Sequence, residues 1–332
     1  MAGRALLYLS LVAAVCRPTA GARARALSRR LWVGSAASAA LAARAPRGRA
    51  ADAPPRDLRD AVERTVADAL AGGARDLTVY ARPTYGRESD DIYYPPWLAG
   101  EWLVSSKQTG LVAPLGAELF GPTGAYERAR AALDEPALAY RARFARVSAA
   151  PGGGGEACVC ERPFTVASIS RAAMGADAVL AAGGVAQPDG ALLEGATSAD
   201  ELEVRLRPSG AGGRTFRVQL QVVGRSARAT GDGAFECAEL TRQTVFAEGA
   251  AQRGAYAPAA APSVKEIETT STYDLQPSGR VLSRQRTATF LVADGAYTLP
   301  SSDLAALARA RAAGRYAVDV RTYELQYARA AD

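Results

Sequence analysis

Glu266, Glu268 and Asp274 share one parity of a single alternating run, residues 265–275 (KEIETTSTYDL), and Arg284 and Arg286 follow across a short turn. Facing inward, carboxylates beside guanidinium groups acquire unequal pKa values and can do acid and base work. Facing outward, the same residues are cross-strand ion pairs. The opposite parity, Ile267, Thr269, Ser271, Tyr273 and Leu275, holds the apolar residues and claims the buried side. Arg171 lies in residues 164–175 (FTVASISRAAMG). On a helix capping a barrel mouth it would meet an anionic headgroup or carboxylate; elsewhere it forms a structural salt bridge. Trp97 and Trp102 flank the first strand, as a stacking wall for a ligand ring or as core. With Tyr273 and Arg171 they form the candidate ligand-binding set. Cys158 and Cys160 are separated by one residue, a spacing too tight for an unstrained bond between them. That leaves a disulfide from either to Cys237, or buried free thiols.

Histidine is absent from all 332 residues. The commonest general base, the Ser-His and Cys-His nucleophile pairs and most zinc and haem ligation go with it. No catalytic residue is assigned, and no metal or cofactor is invoked. Any enzyme here would act through carboxylates and Tyr.

The formal charge of +6 suggests a phosphate-binding surface until its distribution is considered. Nine of the 40 basic residues precede Pro54, with only Asp52 against them, so the remainder holds 31 basic and 33 acidic residues. A net charge of −2 is no nucleic-acid footprint. The basic N-terminus reads as three addresses in series. Residues 5–16 (ALLYLSLVAAVC) follow Arg4 as a signal-peptide core, with Ala20-Gly21-Ala22 for cleavage. Residues 23–30 (RARALSRR) are acid-free, in the manner of a transit peptide. Arg29-Arg30 then opens a weakly apolar stretch ending in Ala51-Asp52-Ala53, a twin-arginine export signal. The series predicts residues 1–22 as signal peptide, 23–53 as transit and lumenal signal, and delivery to the thylakoid lumen of a complex plastid. Secretion is the alternative. No later segment is apolar for long enough to cross a membrane.

These side chains need elements to position them. Leu58, Ala61, Val62, Thr65, Val66, Ala69 and Leu70 recur at helical spacing opposite Asp57, Asp60, Glu63 and Arg64, which predicts an N-terminal amphipathic helix. A tether follows to residue 91, and a domain spans 92–329. There the pattern becomes short alternating runs: Trp102, Val104 and Ser106; Leu138, Tyr140, Ala142 and Phe144; Phe216, Val218, Leu220 and Val222. Pro277-Ser278-Gly279 marks a hairpin into residues 281–292. Parity changes between Val320 and Tyr323, which predicts a β-bulge near Arg321 and Thr322. Short helices are expected at 126–133, 166–174 and 302–312, and glycine loops at 149–155 and 183–195. The fold class is mainly β, an antiparallel calycin or lipocalin-like barrel with a few short helices, closed or nearly so.

The run Tyr93-Tyr94-Pro95-Pro96-Trp97-Leu98-Ala99-Gly100-Glu101-Trp102, the Val112 to Leu115 stretch, the Arg171 segment and KEIETTSTYDL occur in that order. Together they resemble an uncharacterised domain family of cyanobacteria and plastids, domain of unknown function 6816. The likeness covers about 93–328. Gly100-x-Trp102 also resembles the opening of lipocalin barrels. The family brings no activity with it. The expected function is a lumenal binding protein or photosynthetic-complex assembly factor. Its partner would be a small apolar ligand, lipid or pigment, or a thylakoid membrane complex. The alternative is a lumenal enzyme on a lipid or pigment.

Overall fold

The computed structural model describes residues 77–121, 124–147, 155–184, 200–208, 214–231, 233–248, 262–292 and 314–330. The import elements, the amphipathic 58–70 segment, the 302–312 helix and most of both glycine loops lie outside them. Ten strands form one antiparallel sheet: β1 Gly100–Val112, β2 Leu138–Val147, β3 Ala157–Cys160, β4 Val179–Gly183, β5 Glu201–Leu206, β6 Thr215–Gly231, β7 Ala234–Glu248, β8 Ser263–Leu275, β9 Val281–Leu291 and β10 Asp319–Arg329. Their order is β3-β2-β1-β10-β9-β8-β7-β6-β5-β4. Every consecutive pair is hydrogen-bonded except β3 and β4, and the last strand returns to pair with the first. The sheet is therefore an up-and-down meander curled into a half-barrel, with one seam left open.

Two devices cover that seam. Helix α1, Ala125–Ala131, lies away from it, whereas helix α2, Arg162–Met174, connects β3 to β4 and packs on β2, β4 and β5. Ser168 and Thr165 of α2 accept hydrogen bonds from the backbone N–H groups of Arg141 (2.8 Å) and Arg143 (3.3 Å). These are edge donors of β2 beyond the reach of short β3, and the hydroxyls replace a strand there. The second device is residues 77–94, which the sequence suggests as a tether up to 91. They instead run as a strap across the outer face, pairing with β6 at Arg225 and with the free edge of β3 at Cys158.

The strap decides the fate of the hairpin carboxylates. They do face outward, as the alternation requires, but Glu266 and Glu268 are buried rather than solvated. Arg82 of the strap and Arg242 of β7 bind Glu266 at 2.6 and 2.8 Å. Tyr85 and Arg286 bind Glu268 at 3.2 and 3.0 Å. Asp274, beyond the strap, is exposed.

The expected bulge is displaced onto the partner strand. Register along β9 and β10 is continuous from Asp319 to Tyr327, whereas β1 carries an extra residue between Gln108 and Gly110, opposite Tyr323 and Thr322. The parity change in β10 has another cause. Val320 points outward into a cluster with Leu240, Ala288 and Phe290 beneath Tyr80 and Tyr85, while Arg321 and Tyr323 point inward. Both faces are buried at that end, so apolar residues occupy both parities.

Candidate ligand chamber

Inward-facing residues divide the interior into an apolar end and a polar end. Trp102, Val104, Tyr140, Phe144, Phe235, Val281 and Leu325 belong to the main core cluster. Further along the same strands the inward residues become Gln108, Thr269, Ser271, Gln285, Thr289 and Arg321. At the junction lies a cavity of about 180 Å³. One wall is aromatic, built from Tyr94, Tyr140, Phe144, Tyr273 and Tyr327 with Ile92. The other offers hydrogen-bonding groups from Thr165, Cys237, Glu239, Thr269, Ser271 and Gln285.

Tyr94 is the hinge of the aromatic wall. The turn Pro96–Leu98 fixes the chain just after it, and reciprocal backbone bonds with Cys158 (2.8 and 2.9 Å) fix Tyr94 itself. Its ring stands edge-on to Phe144 at 5.0 Å and to Tyr273 at 5.8 Å. Tyr273 contacts Tyr327 at 5.9 Å, and Tyr327 meets Trp102 at 6.2 Å. Such edge-to-face pairs each add about 0.5–1.5 kcal/mol beyond area burial.

Glu239 is the one charged side chain on the described lining, and it is already neutralised. Arg162, the first residue of α2, holds Glu239 at 2.8 Å and strap residue Asp91 at 2.9 Å. Arg225, fully buried, lies 3.6 Å from Glu239 and 2.9 Å from Asp200, and donates to the carbonyls of Ser89 and Asp90. Arg162 therefore pins helix, strap and β7 together at the chamber wall. Breaking a buried pair of this kind costs about 3–5 kcal/mol.

Burial raises the chamber's acidic groups. It lifts the Tyr94 phenol well above its ordinary value, with lesser contributions from Cys237 and Cys160. It pushes the Cys160 thiol up to about 11 and Cys237 up to about 12, with Glu239 adding to the latter and Tyr94 opposing it. The three described cysteines, Cys158, Cys160 and Cys237, are free thiols, and Cys158 points at the Pro95 carbonyl, 3.2 Å away. The walls thus present protonated donors rather than nucleophiles.

The structure separates the residues singled out in the sequence. Tyr273, Cys160 and Cys237 line the chamber. Trp102 is fully buried beside it, donating from Nε1 to the Leu98 carbonyl at 2.7 Å under the Arg329 guanidinium, 4.0 Å above its ring. Trp97 is half-buried against the core, and its carbonyl accepts from Arg329 at 2.9 Å. Arg171 is exposed on α2 and does not border the chamber. Tyr94, Arg162 and Glu239 escaped sequence reasoning. A signal for Glu239 existed, since it shares the inward parity of Phe235 and Cys237 on β7. A shallower hollow of about 720 Å³ crosses the outer face beside Arg284, Arg286, Arg228 and Glu236. Its ion pairs, such as Arg228 with Glu236 at 2.7 Å, close on themselves.

A family model for a domain of unknown function, DUF6816, matches residues 86–330, which takes in the whole sheet, the chamber and the second half of the strap. The chain belongs to this family. No curated protein and no solved structure matches it. The DUF6816 match begins at Gly86, where the strap first pairs with β6, so the family unit includes the segment that supplies Tyr94. Among the described residues of this DUF6816 chain no helix is long and apolar enough to cross a membrane. No group of three or more His, Cys, Asp or Glu among them could hold a metal ion.

Proposed function

We propose that this protein is a binding protein of the plastid thylakoid lumen that holds a compact, uncharged ligand in the Tyr94 chamber. The observation that carries the reading is an interior cavity with one aromatic wall and one hydrogen-bonding wall, whose sole carboxylate is taken up by Arg162 and Arg225. A charged ligand would find no free counter-charge on the described lining. A planar or ring-containing molecule with hydroxyl or amide groups on one edge suits both walls. The volume supports a small occupant. About 180 Å³ equals roughly six waters at ~30 Å³ each, whereas sites for drug-sized ligands begin near 300 Å³. A whole lipid or pigment exceeds it, so such a molecule would enter by a headgroup or ring alone.

Binding is favoured over catalysis because burial keeps the phenol and thiols of the walls protonated. The lumenal address rests on the three stacked import elements of residues 1–53. Native mass spectrometry, with organic extraction, on protein purified from its own thylakoid lumen tests both parts. The expected result is one small-molecule adduct per chain in the lumenal fraction. A bare chain co-purifying with photosystem subunits would overturn the ligand reading in favour of an assembly factor. Recovery from the culture medium would overturn the address.

A further inference from the structure

At the end of the sheet remote from the aromatic core, an apolar groove of about 640 Å³ opens to solvent. It is bordered by Val79, Tyr80, Leu111, Val112, Ala113 and Tyr126. None of these carries a formal charge, and Val79 is 63% exposed. Its uncharged side chains leave a seat open for another apolar element. Leu77, the first described residue, packs against Leu115, Leu119 and Val318 beside the groove. The chain preceding it therefore arrives at the groove's rim.

That preceding chain has the matching pattern. Leu58, Ala61, Val62, Thr65, Val66, Ala69 and Leu70 make one unbroken apolar stripe at helical spacing, with Asp57, Asp60, Glu63, Arg64 and Asp68 off it. A lone helix of this length is marginal in water and gains stability by burying its stripe. Residues 71–76 separate it from Leu77 and contain Gly72-Gly73. Six residues reach up to about 20 Å, and a fourteen-residue helix is itself about 21 Å long, so the stripe can lie along the groove without strain. The short tether also sets an effective concentration in the millimolar range, so a modest intrinsic affinity suffices for occupancy.

We infer that residues 57–70 dock as an amphipathic helix, apolar face down, in the groove formed by Val79, Tyr80, Leu111, Val112, Ala113 and Tyr126 of the same chain. The inference goes beyond the ligand-binding reading and is independent of it. Docking secures the N-terminal end of the strap, whose other end supplies Tyr94 to the chamber. It also covers the groove itself.

Peptide-resolved hydrogen exchange on the full chain tests this, comparing wild type with V62D/V66D on the helix and V79D on the groove rim, at two protein concentrations. Exchange in residues 58–70 should be slowed at least tenfold below the intrinsic rate at both concentrations. Either variant should release 58–70, while β7 to β9 keep their protection. Intrinsic-rate exchange of 58–70 in wild type would overturn the assignment. So would protection of 58–70 that persists in V79D, which would seat the segment elsewhere. Protection that grows with concentration would give it to a second copy, and protection appearing only with anionic vesicles would give it to a lipid surface.

Discussion

At the residue scale the interior is governed by how each polar group is kept neutral or paired. Glu239, Asp91 and Asp200 are paired with Arg162, Arg225 and Arg87 at the chamber wall. Lys265 differs, since it faces inward between Gln243 of β7 and Leu291 of β9, near Asp319 and Arg321. Asp319 is engaged by Arg321 at 2.7 Å. Burial lowers the Lys265 ammonium to about 7, with Arg321 adding to the shift and Asp319 opposing it. The unfolded chain keeps that proton to about pH 10.4 and the folded chain releases it near 7, so stability rises with pH between those values. The buried thiols act in the opposite sense as they ionise in the unfolded chain around pH 8.5, and do so equally in a Lys265 variant. In urea unfolding at pH 7.0 and 8.5, wild type should gain more stability than Lys265→Met by up to about 2 kcal/mol. An equal gain in Lys265→Met would contradict this placement. Tyr273 was legible in the sequence because its alternating run is regular. Arg225 was not. An extra residue between Val222 and Gly224 resets the parity of β6, so a count from Phe216 points Arg225 outward when it is fully buried within.

At the element scale the open seam and its two covers explain what the pattern alone concealed. The strands of the β8 to β9 hairpin were legible because they alternate and because Gly279, at φ +77°, closes their turn. The bulge opposite Thr322 and Tyr323 lies on β1 rather than β10, and an insertion in β1 leaves no mark in the β10 sequence. The strap reads as a tether in the sequence because its partners are not local. Arg82 reaches Glu266 and Tyr85 reaches Glu268 across more than 180 residues. The strap lies tightly over Gly224, where an added Cβ would lie 2.7 Å from the Tyr85 carbonyl oxygen. Gly224→Ala should cost about 1–3 kcal/mol and speed proteolysis within residues 77–91 while the sheet stays folded. Unchanged cleavage and stability in that variant would mean the strap does not press on β6.

At the scale of the whole molecule, a ten-strand meander returning to its first strand makes an interior, and the α2 helix and strap seal it where β3 and β4 fail to meet. Fold class was legible because antiparallel strands write their two faces into alternate residues. The chamber was not, because Ile92 and Tyr94 of the strap, Cys160 of β3 and Glu239 of β7 converge only after the seam closes. The chamber is also the most direct place to test the account, by a substitution that fills it without disturbing its charges. Ser271 is buried on the polar wall, and Leu at that position would occupy empty volume. The deciding measurement is native mass spectrometry of wild type and Ser271→Leu, each purified from the protein's own cells, with thermal unfolding as the control for folding. The account predicts a small-molecule adduct on wild type that is lost from a stably folded Ser271→Leu. An adduct that persists in the variant, or a wild type that carries none, would contradict it.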